Sequence, residues 1–247
     1  MALHWRLAAI AAFAVAVSGC TELTAEHPLF SITDQAESAP IAEGVWIAIS
    51  EDCPERHMRT RGRFPAACDP FELRRTADGA WRFAFRPDLV HGSSAEARAE
   101  AEQRGPTAFI LAPAVERTLD ARSFAPLYVA ELRGLNPEGE DVGYAVLAPV
   151  GPMPAAELRL LSLISCDDIL RDGPIEGVTP HYTVRTNEQP ASEIQQSALA
   201  DSDTIETVEV LSGCTASSQA AVREAARRAA IENIGELANT RLIRVRP

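Results

Sequence analysis

The stretch Phe71–Arg86 constrains the fold more than any other, because two short aromatic-rich segments flank Ala77-Asp78-Gly79. Asp-Gly between alternating apolar segments signals a β-hairpin, and the loop length decides which side chains share a face. A two-residue loop at Asp78-Gly79 sets Leu73 opposite Ala84 and Phe71 opposite Arg86, which mixes the faces. A three-residue loop with Gly79 left-handed pairs Leu73 with Phe83 and Phe71 with Phe85, and this register is the expected one. It also puts Arg75 opposite Trp81, where a guanidinium can stack on the indole.

Around this hairpin the same reasoning predicts a strand at Gly44–Ile49, β-branched and aromatic, and others at 107–112, 126–132 and 142–148. The last two are joined by a Gly/Asn/Pro turn at 134–139. Residues 241–246 read as a closing strand, Ile243 and Val245 alternating with an outer face of Arg244 and Arg246. Leu158–Cys166 is apolar in both phases and is either a buried strand or a buried helix. A helix is predicted over 93–104, with a Ser93-x-x-Glu96 capping box and a stop at Gly105-Pro106. Its apolar positions are nearly all Ala, so it belongs on the surface. A second helix runs from a Ser217 or Ser218 cap to about Ile234, with Val222, Ala225 and Ala229 toward the core and Gly235 ending it. Residues 186–203 are polar and aperiodic and read as a surface loop. The expected architecture is α+β: an antiparallel β-meander or partly closed barrel packed by a surface helix and a C-terminal helix.

The chain has 23 basic and 35 acidic residues in 247, a net charge of -12, and every basic residue is Arg. Without Lys there is no Schiff-base amine, no lysine-linked pyridoxal phosphate, no GxxxxGK[ST] phosphate loop and no Ser-x-x-Lys acylation site. The acidic balance argues against nucleic acid as a partner, since phosphate neutralisation needs a positive stripe.

Arg6 precedes an apolar run from Leu7 to Val17, which ends at Val17-Ser18-Gly19-Cys20. The run is too short to span a bilayer and reads as a secretory signal. Its end resembles the lipobox of bacterial lipoproteins, which implies a signal peptide over 1–19, cleavage before Cys20 and lipidation of that cysteine. Several acyl chains on one residue would anchor the chain permanently to the membrane. Thr21 rather than Asp after the cysteine resembles the pattern sorted to the outer membrane, so the expected location is the bacterial cell envelope, facing the periplasm. Residues 20–42, interrupted by Pro28 and Pro40, read as a lipid anchor and tether with a local hold at Leu29-Phe30. As a flexible coil it would reach roughly 25 Å. The globular domain is expected over 43–247.

Cys53, Cys68, Cys166 and Cys214 remain, an even number for an oxidising compartment. Of three connectivities, proximity favours Cys53 with Cys68 and Cys166 with Cys214. Bridges of this span stabilise by about 3 to 4 kcal/mol each in the chain-entropy model. No CxxC, HExxH or zinc-finger spacing points to a metal, and no cofactor motif is present.

Between the first two cysteines lie Arg56, Arg59, Arg61 and Arg63. Held together by a disulfide, these guanidiniums could grip the phosphates or carboxylates of anionic envelope lipids or glycans with bidentate geometry. The alternative is a solvated loop whose arginines pair with neighbouring Glu and Asp. Gly44-x-Trp46 resembles the opening motif of lipocalins, whose barrels hold apolar ligands. No GxSxG is present, and no His stands at motif spacing from a nucleophile. Val210-Leu211-Ser212-Gly213-Cys214 imitates a lipobox without the apolar run before it.

The paired early cysteines after Gly44-Val45-Trp46, the strands with Pro126-Leu127-Tyr128 and Tyr144-Ala145-Val146, and Cys214-Thr215-Ala216 before an Ala/Arg-rich helix together resemble uncharacterised lipoproteins of alphaproteobacteria. That resemblance implies compartment and disulfides and carries no mechanism. The leading expectation is a non-enzymatic, envelope-tethered lipoprotein with a binding or structural role. A lipocalin-like carrier of a small apolar ligand is the first alternative, favoured by a large lined cavity. An envelope hydrolase built from carboxylates is the second, favoured by two close carboxyls in a cleft.

Overall fold

The Phe71–Arg86 hairpin forms in the register that gathers its aromatic residues on one face, with Phe71 opposite Phe85 and Leu73 opposite Phe83. The structure is a computed structural model and describes residues 21–35, 40–55, 63–65, 67–114, 127–133, 142–186, 207–232 and 241–246. Within them run β1 (Leu23–Ala25), β2 (Gly44–Ile49), β3 (Phe71–Arg75), β4 (Trp81–Phe85), α1 (Ala95–Arg104), β5 (Thr107–Pro113) and β6 (Tyr128–Arg133). They are followed by β7 (Val142–Val150), β8 (Glu157–Leu163), α2 (Cys166–Leu170), β9 (Val178–Thr186), β10 (Thr207–Ala216), α3 (Gln219–Glu232) and β11 (Arg241–Arg246).

Thr76 N–H donates to the Ala80 carbonyl, which leaves the three-residue loop Ala77–Gly79, and Gly79 sits at φ +93°. Arg75 does lie opposite Trp81. Its guanidinium, however, turns to the Gly79 carbonyl at 3.0 Å, while the Trp81 indole stacks on Phe109 with centroids 6.3 Å apart. The indole is fully buried, so the cation stays at the hairpin end where water still reaches it.

Strands β2, β3, β4, β5, β6, β7 and β8 pair antiparallel in succession, and β11 pairs with both β8 and β2. This closes an eight-stranded antiparallel barrel. The barrel is thus complete rather than partly closed, and the molecule is mostly β, with its helices on the outside. Closure removes the free edges that an open meander would present. Strand β11 closes the barrel as expected, but with its phases exchanged: Leu242 is buried inside, and Val245 packs outward. A bulge between Arg244 and Arg246 lets Arg246 lie over the outer Phe64 ring at 5.0 Å.

Inside the barrel pack Trp46, Leu73, Trp81, Phe83, Leu111, Leu132 and their neighbours. On the outside of β5, β6 and β7 lie α3, α2 and the β1–β10–β9 extension, burying Ile110, Val129, Val146 and Ile169. These three strands are apolar on both faces because both faces are covered. A third cluster, Val45, Ile47, Phe64 and the Cys53–Cys68 bridge, seals the outside of β2. Both cysteine pairings are the expected ones, with Cα–Cα distances of 5.1 Å for Cys53–Cys68 and 5.8 Å for Cys166–Cys214.

Other local expectations shift by small steps. Helix α1 is exposed, as its composition requires, but Ser94, not Ser93, caps it by accepting from Ala97 N–H at 3.1 Å. The Leu158–Cys166 run is divided: strand through Leu163, then helix from Cys166. Ser218 caps α3, which buries Val222, Ala225 and Ala229. The Gly/Asn/Pro turn at 134–139, the end of the last helix at Ile234 and Gly235, and 187–203 of the surface loop lie outside the described residues.

The described part of 20–42, read as a tether with a local hold at Leu29-Phe30, differs most, because the hold extends to its start. Thr21 already accepts a hydrogen bond from Cys166 N–H, and Leu23–Ala25 forms β1 between β7 and β10. Leu23, Ala25 and Phe30 are buried. Strand β1 is stabilised by partners far along the chain, which no local pattern in Thr21–Ala25 announces. Strands β9 and β10 were likewise not expected, and the lipobox-like Val210–Cys214 is part of β10.

Candidate functional site

The barrel interior is not filled. An apolar cavity of about 70 Å³ lies within it, walled by Leu73, Phe83, Leu132, Leu147, Leu158 and Leu160 among others. These residues come from five strands whose inward positions alternate, so closing the barrel is what brings them together. Trp46, fully buried, anchors β2 by donating from Nε1 to the Ala42 carbonyl at 3.1 Å. The residue opposite it on β11 is Arg244, which donates to the Glu43 carbonyl at 3.1 Å.

The mouth is identified by exposure. Of the lining residues, Ala48, Asp69, Phe71 and Phe85 are half-buried, and all four lie where β2 and β4 end and β3 begins. The connections 50–70 and 86–106 arise at this rim. The Cys53–Cys68 bridge and the buried Phe64 fasten the first of them, since Phe64 N–H donates to the Leu89 carbonyl and His91 N–H to that of Phe64.

Among the described residues Asp69 is the one charged group lining the cavity. It stands two residues before Phe71, in the same inward phase as Phe71 and Leu73. Burial pushes its carboxyl up to about 6. Removing a carboxylate from water disfavours the ionised form, and among the described residues no cation or hydrogen-bond donor compensates it.

A second buried carboxylate faces away from the cavity. Glu131, fully buried on the outside of β6, accepts from the Leu29 and Phe30 backbone N–H groups at 2.8 and 2.9 Å. Tyr144 donates to that same oxygen at 3.4 Å, and the other oxygen is held by Arg133 at 2.7 Å. Burial, and after it the neighbouring Glu131 carboxylate, raise the Tyr144 hydroxyl. Phe30 meets Tyr144 edge-on, with Arg223 over its ring at 5.3 Å. With its acceptor positions occupied by protein donors, Glu131 is a structural clamp for the N-terminal segment.

Of the four arginines expected to form an anion site, only Arg63 is among the described residues. Arg56, Arg59 and Arg61 lie outside the described residues, as does Cys20. Arg63 is exposed and close enough to Asp88 to help hold that carboxyl below its usual range, after the larger effect of Arg86. Nearby, Arg86 is engaged with Glu72 and Asp88, and Arg241 with Glu157 and Glu55. Among the described residues no three His, Cys, Asp or Glu side chains come together as a metal site, and no helix is long and apolar enough to cross a membrane. Among the described residues a single carboxyl lines the cavity.

Neither Asp69 nor Glu131 was expected from the sequence. For Asp69 a signal existed, since extending the hairpin's alternation back from Leu73 and Phe71 places Asp69 on the apolar face. For Glu131 there was none beyond a lone acid within an apolar strand. No protein-family model matches the chain, and no curated protein and no solved structure shows significant similarity to it.

Proposed function

We propose that the protein is a carrier that holds a small, slim apolar or amphipathic molecule inside its barrel. The observation that carries this reading is the apolar cavity enclosed by the eight-stranded barrel, with its half-exposed lining confined to one rim. Eight strands give an interior that side chains either fill or leave open for one small ligand, and apolar walls with few polar groups are the usual composition of such sites. At about 70 Å³ the space is less than half of the ~150 Å³ that admits a benzene ring, so it suits the end of a narrow aliphatic chain, the remainder and the head of which would lie at the open rim. The resemblance of Gly44-x-Trp46 to the lipocalin opening motif supports the same reading, because Trp46 sits inside the barrel.

The carrier is proposed to work in the bacterial envelope, lipidated at Cys20 and facing the periplasm, on the strength of the N-terminal sequence. Because Thr21, the residue after Cys20, is already bonded to Cys166 in the fold, such an anchor would hold the barrel against the bilayer, within reach of molecules that partition into it.

Calorimetric titration of the purified protein with 1-hexanol tests the carrier reading. The wild type is expected to bind one equivalent, and Ala130→Leu, which adds volume inside the cavity, is expected to abolish binding while keeping the melting temperature. A wild type that does not bind, or an Ala130→Leu variant that binds equally well, would overturn it.

A further inference from the structure

An apolar chain alone would need no charge in the cavity wall, yet Asp69 is there. We propose that Asp69 selects a cationic amphiphile, a primary alkylammonium whose chain lies among the apolar walls and whose ammonium is held by the Asp69 carboxylate at the rim. This rests on the carrier reading and names its ligand class.

Three observations carry it. First, the position is built: Asp69 is flanked by Cys68, held in a disulfide, and Pro70, whose carbonyl accepts from Arg86 N–H at 2.8 Å. The carboxyl therefore extends the ladder of Phe71 and Leu73 and lines the cavity with them. Second, it is uncompensated. Among the described residues it has neither ion pair nor hydrogen bond, and burial raises its carboxyl to about 6. At neutral pH it is mostly ionised and costly to keep so, and a cationic head would remove that cost with a charge-assisted hydrogen bond. Third, the other charges nearby are committed elsewhere. On β3 and just beyond β4, Glu72, Arg86 and Asp88 pair with one another, and on β11 Arg241 pairs with Glu157 of β8 and with Glu55. Among the described residues no cation lines the cavity to favour an anionic head, Arg63 of the rim connection acting on Asp88 instead, and the net charge of -12 draws cations toward the molecule.

The test is a set of calorimetric titrations of the full chain with 1-aminohexane, 1-hexanol and hexanoate, at pH 7.5 and 5.0, on the wild type and Asp69→Asn. At pH 7.5 the amine should bind at least about tenfold more tightly than hexanoate, with hexanol between them. On lowering the pH to 5.0, where a carboxyl near 6 is roughly nine-tenths protonated, amine affinity should fall about tenfold while that of hexanol holds. Asp69→Asn, which conserves shape and breaks no described hydrogen bond, should erase both the preference and the pH dependence.

Hexanol binding without preference for the amine overturns the role of Asp69 and leaves the carrier reading standing. An amine preference that survives Asp69→Asn also overturns that role, and failure of all three ligands overturns both readings. The pH response of the wild type gives a readout that does not depend on the variant folding.

Discussion

Removing the Glu131 carboxylate should release the N-terminal segment from the barrel. In Glu131→Ala the Leu29 and Phe30 N–H groups lose their acceptor, and Arg133 loses its carboxylate. A buried donor left unsatisfied costs about 1–3 kcal/mol, and breaking a buried ion pair by deleting one partner costs about 3–5 kcal/mol. These contributions overlap, and Arg133 retains the Phe30 carbonyl as a partner, so the expected loss is about 3–4 kcal/mol. Urea unfolding followed by tryptophan fluorescence measures it, since Trp46 and Trp81 are buried in the barrel. Two further readouts separate the clamp from general damage. Limited proteolysis should gain a cleavage site near Leu29, and a double-mutant cycle with Phe30→Ala should show coupling of about 1 kcal/mol or more, because both changes detach the same segment. A stability loss under 1 kcal/mol with no new cleavage site would refute the reasoning.

The two disulfides should differ in value: Cys53→Ser with Cys68→Ser closes out a 15-residue separation, worth about 3 kcal/mol, and Cys166→Ser with Cys214→Ser a 48-residue one, worth about 4 kcal/mol. Thermal unfolding of the two double variants gives the order, and a reversed order would contradict a chain-entropy origin. Gly177→Ala should cost about 2 kcal/mol in chemical denaturation, because the backbone there sits at φ +81° and a Cβ would meet Ala221 and Ser217 at 3.2 Å; a neutral result would show that the α3 N-terminus yields easily. Glu22, pushed up to about 7 by burial, binds more protons folded than unfolded between its ordinary value and pH 7. Its contribution is therefore fullest below that ordinary value and is lost as pH rises through 7. Glu22→Gln should flatten this decline and stabilise the protein at pH 8 by about 1–2 kcal/mol after allowing for solvent screening, and an unchanged pH profile would sink that assignment.

What the sequence made legible was local. The face-matching of Phe71 and Leu73 with Phe85 and Phe83 set the hairpin register, because a one-residue slip would have exposed half the aromatics. The apolar alternation of β2, β5, β6 and β7 marked strands, and the proximity of cysteines along the chain gave both bridges. What stayed hidden was non-local. Closure depends on β11 meeting β2 across nearly the whole chain, and β1 is a strand only because β7 and β10 flank it. Thr, Tyr and Val in 182–184 and Val208 and Val210 carried β propensity, but the polar stretch between them hid their pairing. Asp69 looked like a loop residue beside a cysteine until closure of the barrel turned its phase into a place in the cavity wall.

The most direct test of the account is a methyl-resolved NMR titration of the protein with 1-hexanol. A ligand inside the barrel should produce saturable shifts in Leu73, Leu132, Leu147, Leu158 and Leu242, which line the cavity, and little change in Val129, Val146, Ile169 and Val222 on the outer side. Shifts concentrated on the outer set, or shifts that never saturate, would contradict a carrier with an interior site.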